Sequence, residues 1–133
     1  HDVGKIGVPD SILSKPSPLT DGEFEVMKGH PAKGGEIVGE IEDLAAVADV
    51  IRHHHERIDG AGYPDGLRGE AIPLASRIIL IADAFESLVA DRRYRKSVGR
   101  EAAVRELQEH RGSQFDPVLV RAFVEAQASH PEF

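Results

Sequence analysis

The sequence contains no cysteine. That excludes disulfides, thiolate zinc sites and a cysteine nucleophile. It also lacks any run of eighteen apolar residues, so no segment reads as a membrane span. No basic start followed by an apolar stretch suggests a secretory leader. Positive charge is scarce: 16 Lys and Arg stand against 23 Asp and Glu, a formal charge of −7. That balance argues against duplex nucleic acid as a partner, because such binding rests on a basic surface. It leaves room for a small phosphate ligand, since bound divalent cations reverse the local field in an acidic protein. No strand-like alternation is long enough to compete with helical spacing. Internal repeats, low-complexity tracts and interdomain linkers are missing too. Position 1 is His rather than Met, and the chain is expected to be part of a longer protein.

What is present points to one all-α domain. The length of 133 residues suits a single domain. Residues 7–19 carry Pro9, Pro16 and Pro18 and are expected to be a loop with one short turn. Thr20 and Glu23 have capping-box spacing, so a helix should run from Asp21 to about Gly29. Pro31 suits the first turn of a second helix, expected to reach about Glu42. A third helix is expected from Leu44 to about His54, with Leu44, Val47, Val50 and Ile51 on an apolar stripe. Residues 57–73 are rich in Gly and Pro and should form a long ordered loop, of a length that is usually functional. Leu74 to about Ala90 is the most apolar helix and is expected to be the buried centre. Arg100–Glu109 and Pro117–Gln127 close the domain, which is expected over 1–128 with a frayed tail at 129–133.

Seven histidines are many for this length, and their placement matters more than their number. His1 and Asp2 open the chain, and Lys5 can share their face if the segment is helical. His53, His54 and His55 end a helix, where unwinding lets adjacent rings reach one site; a solvated helix end is the plainer reading. Asp83 interrupts an apolar helix, and a buried carboxylate is costly unless paired or bound to a cation. A salt bridge to Arg77 is its plainer alternative. His30, just before Pro31, could be an ordinary loop histidine. Together His1, Asp2, His30, His54, His55 and Asp83 form a nitrogen and oxygen ligand set that suits iron or manganese better than zinc, with calcium disfavoured. Asp2 is placed to bridge two ions, and two ions can clamp the attacking and leaving oxygens of a phosphoryl displacement.

Four runs carry a resemblance: HDVGKIGVPDSILSKP, HHERIDGAGYPDGLRGEAIPLASRIILIADAF, DRRYRKS and GSQFDP. They strongly resemble the HD-GYP subgroup of the HD phosphohydrolases, in that family's order and over nearly the whole chain. Gly62-Tyr63-Pro64 is the tripeptide that names the subgroup. The resemblance implies a helical bundle of the HD superfamily with an ordered GYP loop. It implies two divalent metal ions, three in some members, and hydrolysis of cyclic di-GMP to linear pGpG or GMP. Residue by residue, it makes His1, Asp2, His30, His54, His55 and Asp83 the metal ligands, with Asp2 bridging. The resemblance also implies that Asp2 and Lys5 are the catalytic pair, that Lys5, Tyr63, Arg92 and Arg95 face the substrate, and that His53 is a bystander.

The resemblance further implies a cytoplasmic domain beneath an upstream receiver or sensor domain, with a GGDEF-domain protein or a second copy as possible partners. Family ligands upstream of the HD pair have no counterpart here, so the chain alone is expected to be a poor enzyme. Ile78 and Ile81 are expected to be left uncovered for the same reason. Glu86-Ser87, Ile58 and Arg93 depart from the family's usual residues, none at a ligand position. Two alternatives stay open: a catalytically weak domain that binds a partner, and a phosphodiesterase for another cyclic dinucleotide.

Overall fold

A computed structural model describes residues 1–91 and 96–129, and every described element is helical apart from one isolated bridge between Arg111 and Phe115. The chain opens with a 3-10 turn, Val3–Gly7, followed by a one-turn helix α1, Asp10–Leu13. Helix α2, Asp21–Met27, starts at the expected box: the Glu23 N–H donates to Thr20 Oγ1 at 3.3 Å, and the Thr20 N–H donates to a Glu23 carboxylate oxygen at 2.7 Å. Lys15 also pairs with Glu23 and ties the preceding loop to this cap.

Helix α3, His30–Gly39, begins at His30 and stops three residues before the expected end. Glu42–Leu44 forms a separate 3-10 turn, and α4 then covers Ala45–Arg52. Helix α4 is therefore shorter than expected at its C-terminal end, and His53, His54 and His55 all lie in the turn beyond it. The apolar stripe is also narrower than the pattern suggested. Ile51 is buried, but Val47 is exposed, because α4 turns its small Ala48 toward Gly39 of α3 and lays its Arg52 backbone against Gly35.

The 57–73 segment is a loop with one short turn at Gly69–Ala71, and the Tyr63–Pro64 peptide bond is cis. Helix α5, Leu74–Val89, buries Ser76, Leu80, Ile81 and Phe85 but leaves Leu74 and Ile78 exposed. It is half a core helix, not an all-round buried centre, and Ile81 is covered against expectation. Helices α6, Arg100–Glu109, and α7, Pro117–Ser129, pack on it. Their shared core holds Leu80, Ile81, Phe85, Ala103, Leu107, Phe115 and Val120. Asp116 caps α7 by accepting the Val118 N–H at 2.9 Å, and its other oxygen takes Arg77 at 2.8 Å. Arg77 thus belongs to the GSQFDP corner and not to Asp83. The Ser76 hydroxyl donates to the Val50 carbonyl at 2.8 Å and fastens α5 to α4.

One contact sets the geometry of the N-terminal half. A Cβ on Gly4 would lie 1.8 Å from the His30 carbonyl oxygen and 2.5 Å from the Gly34 nitrogen. The first turn can therefore lie backbone to backbone on α3 only with glycine there.

Candidate metal centre

The site grows from four segments that this packing brings together. The chain start gives His1 and Asp2, the first turn of α3 gives His30, the turn after α4 gives His54 and His55, and mid-α5 gives Asp83. Asp2 Oδ1 lies 3.4 Å from His30 Nε2 and 3.8 Å from His1 Nε2. His1 Nε2 lies 3.9 Å from Asp83 Oδ1. Ligand atoms of His30, His54 and His55 sit within 4.8 Å of one another, and so do those of His1, Asp2 and His54. The two groups share His54. All six residues singled out from the sequence are thus connected. Asp83 is half-exposed, not buried, and faces a cleft.

The imidazoles are oriented from behind. His30 Nδ1 bonds the Met27 carbonyl at 2.8 Å, and His54 Nδ1 bonds the Ile51 carbonyl at 2.6 Å. Only a protonated Nδ1 can donate to a carbonyl, so each neutral ring presents a bare Nε2. These two Nε2 atoms face each other at 3.3 Å. Two lone pairs at that distance suit a cation between or beside them. A metal-binding histidine is commonly held this way, its far nitrogen on a backbone carbonyl. Burial pushes the pKa of both rings below the ordinary value, outweighing those carbonyl bonds. His55 falls further, to about 3, through burial and then the neighbouring charges of His54 and His30. Neutral rings are the form a metal ion takes. The residues present therefore fit a divalent metal.

Burial alone would raise the Asp2 pKa, but the Lys5 hydrogen bond and the charges of Lys5, His30 and His54 bring it below the usual carboxylate value. Lys5 Nζ donates to Asp2 Oδ2 at 2.7 Å. Tyr63 stacks on His55, centroids 5.1 Å apart and planes at 22°. Burial, with some help from Asp83, raises its phenol to about 12. A cleft of about 650 Å³ opens over the cluster, lined by His1, Asp2, Lys5, His30, His55, Tyr63 and Asp83. Arg92 and Arg95 lie outside the described residues.

His53 points elsewhere. It is buried, with Nδ1 2.9 Å from the Asp49 carbonyl and Nε2 2.9 Å from Asp65 Oδ2. His53, Glu56 and Asp65 form a third group close enough to hold an ion, but hydrogen bonds already engage it. Glu56, 1% exposed, accepts the N–H groups of Asp65, Gly66 and Leu67 at 2.7, 3.0 and 3.0 Å. Arg52 grips Asp65 through two bonds at 2.7 and 2.8 Å. The GYP loop is pinned to the end of α4 by this network. Sequence reasoning gave Glu56 no role of its own, and it missed Phe24 and Met27, which line the cleft from α2. The spacing of Phe24, Met27 and His30, each three residues on, was the signal available.

Comparison with known proteins identifies relatives of the chain. The profile of the family described as HD domain matches residues 1–119. The chain is 45% identical over 130 residues to the cyclic di-GMP phosphodiesterase response regulator RpfG of Xanthomonas campestris, covering 96% of this chain and 34% of that protein. It is 39% identical to the 3′3′-cGAMP-specific phosphodiesterase 2 of Vibrio cholerae, covering 94% of this chain and 24% of that protein. The chain thus spans about a third of the length of the first of these relatives and about a quarter of the second. A crystal structure of cyclic GMP-AMP-specific phosphodiesterases from Vibrio cholerae superposes with a TM-score of 0.66 at 24% identity, over 99% of this chain and 34% of the other, a likeness of fold.

Proposed function

The chain belongs to the HD domain family, in its HD-GYP form, and on that premise we propose that it is a metal-dependent phosphodiesterase acting on cyclic di-GMP. The observation that carries the reading is the pair of Nε2 atoms, His30 and His54, facing each other at 3.3 Å in a group with His1, Asp2 and His55 that Asp83 joins through His1. Two overlapping ligand groups support two ions, and the absence of sulfur donors favours iron or manganese. When bound, such ions supply Lewis-acid stabilisation of phosphate charge and a more acidic water.

The chain's own residues do the rest. Asp2 turns Oδ1 to the histidines and Oδ2 to Lys5, so it couples the metal group to a cation at the cleft floor. The Lys5 ammonium is placed to meet phosphate charge that grows during displacement. Tyr63 walls the cleft beside His55. Arg92 and Arg95 are assigned to the substrate phosphates by the resemblance, and a guanidinium fork suits that task. Hydrolysis adds water across one P–O3′ bond to give linear pGpG, and a second addition gives GMP.

A second reading, a cyclic GMP-AMP substrate, is favoured by the 39% identical relative of that name. The response-regulator name of the other relative supports a receiver domain upstream, and a GGDEF-domain protein or a second copy is the partner the resemblance suggests. No helix among the described residues is long and apolar enough to cross a membrane; a cytoplasmic placement of this domain is what the family resemblance implies. Metal analysis and hydrolysis of both cyclic dinucleotides, after loading with iron or manganese, test the proposal. Bound metal with faster cyclic di-GMP turnover is expected; a protein that takes up no metal sinks it.

A further inference from the structure

Phe24 sits where the metal centre has no use for it. It lies on α2, is 45% exposed, and lines the same cleft as His1, Asp2 and Tyr63. The chain has only seven Phe and Tyr residues and no Trp, so an open aromatic at this mouth is not a surplus of rings. Its position relative to the metal ligands is fixed. Met27, one turn after Phe24, accepts the His30 Nδ1 bond at 2.8 Å, so the end of α2 and the first ligand of α3 are locked together. Lys28 covers one face of the ring: its ammonium lies over Phe24, 5.3 Å from the centroid, and over Tyr63, 5.8 Å from that centroid, which leaves the opposite face of Phe24 for a ligand. Glu25 fixes that ammonium through a 2.7 Å bond. Two rings and one cation thus form a braced edge of the cleft.

The two rings are not equivalent. Tyr63 already spends one face on His55. Phe24 is outside the main core, and nearly half its surface is open. A purine base has a large π-face and stacks well on such a ring, whichever purine it is. We propose that Phe24 is the platform on which one purine base of the substrate stacks while its phosphodiester reaches the metal group. The inference deepens the phosphodiesterase reading and rests on this cleft being the substrate site. It also changes the role given to Tyr63, which becomes the brace of His55 and one wall of the cleft.

Two probes isolate the base: GMP, and ribose 5-phosphate, which carries the phosphate without it. Calorimetric titration of the metal-loaded chain should show GMP binding tighter than ribose 5-phosphate. Phe24→Leu keeps apolar bulk but removes the π-face. It should weaken GMP by at least about fivefold, leave ribose 5-phosphate and metal content unchanged, and be rescued by Phe24→Trp. With cyclic di-GMP the same variant should raise KM and leave kcat within about twofold, because stacking remote from the reacting bond is uniform binding. Equal affinity for the two probes in the wild type, or GMP affinity unchanged in Phe24→Leu, overturns the platform. The binding arm needs no turnover. A chain that takes up no metal yet binds GMP through Phe24 would therefore refute the proposed activity and uphold this inference.

Discussion

Asp2 divides its carboxylate between two kinds of partner: Oδ1 toward His1 and His30, Oδ2 toward Lys5. Replacing it removes a candidate ligand and also frees Lys5. Asp2→Ala should lower hydrolysis more than about 100-fold and reduce bound metal, beyond what loss of an outer contact costs. His53→Ala should keep its metal, since His53 faces Asp49 and Asp65, but should lose about 1–2 kcal/mol of stability. Metal analysis beside turnover separates the two, and metal loss in His53→Ala would overturn the assignment. Glu56 makes a sharper case. Its buried carboxylate accepts three backbone N–H groups, and Glu56→Gln presents an NH₂ where only acceptors fit. Urea titration should show a loss of about 2–3 kcal/mol, with faster proteolysis within 57–73. Wild-type stability would show that the loop does not depend on this anchor. The candidate ligands could be picked out in the sequence because imidazole and carboxylate chemistry is legible residue by residue. Glu56 and His53 could not, because their partners are backbone amides and a carboxylate nine to twelve residues on, which no local pattern announces.

Helix starts were easier to read than helix ends. The α2 start follows from Thr20 and Glu23 alone, since a capping box is a local device. The end of α4 is set by tertiary contact: it stops at Arg52 where the Arg52–Asp65 and His53–Asp65 bonds draw the chain toward the loop. That early stop is what lets His54 and His55 turn into one site. The contact between the Val3–Gly7 turn and α3 is a second element-scale feature, and only glycine permits it. A Gly4→Ala methyl would sit 1.8 Å from the His30 carbonyl, so α3 must move away, carrying His30 from Asp2. The variant should lose at least about 2 kcal/mol of stability and bind metal more weakly. Gly22→Ala is the control. Nothing lies within 4 Å of its added carbon, and its stability should stay within about 1 kcal/mol of wild type. Equal behaviour of the two variants in urea titration and metal analysis would show that the close approach is not what holds the site.

At the scale of the whole molecule, four sequence-distant segments converge on one group of imidazoles, and the fold must bury those rings without a charge. The pKa values of His30, His54 and His55 all lie below the ordinary value of 6.5, mainly because burial disfavours the charged ring. The unfolded chain therefore binds protons at these three sites at a pH where the folded chain does not. Stability from this source is complete above about pH 6.5 and drains away as pH falls through the folded values, the lowest being about 3 for His55. The carboxylates with lowered pKa, Asp2, Asp59, Asp65 and Asp116, act in the same direction but only below the carboxylate value of 3.8. Between pH 7.5 and 5.5 the histidines thus dominate the change. Metal-free protein, prepared with a chelator, should show a lower urea midpoint at pH 5.5 than at pH 7.5 with an unchanged m-value. Saturating metal should raise the midpoint at both values, because an ion that binds only the folded site stabilises it by mass action. The gain should be larger at pH 7.5, where fewer protons compete for the rings. A midpoint that rises on acidification of the metal-free chain would mean that these rings gain protons on folding, and the neutral lone pairs on which the metal assignment rests would be gone.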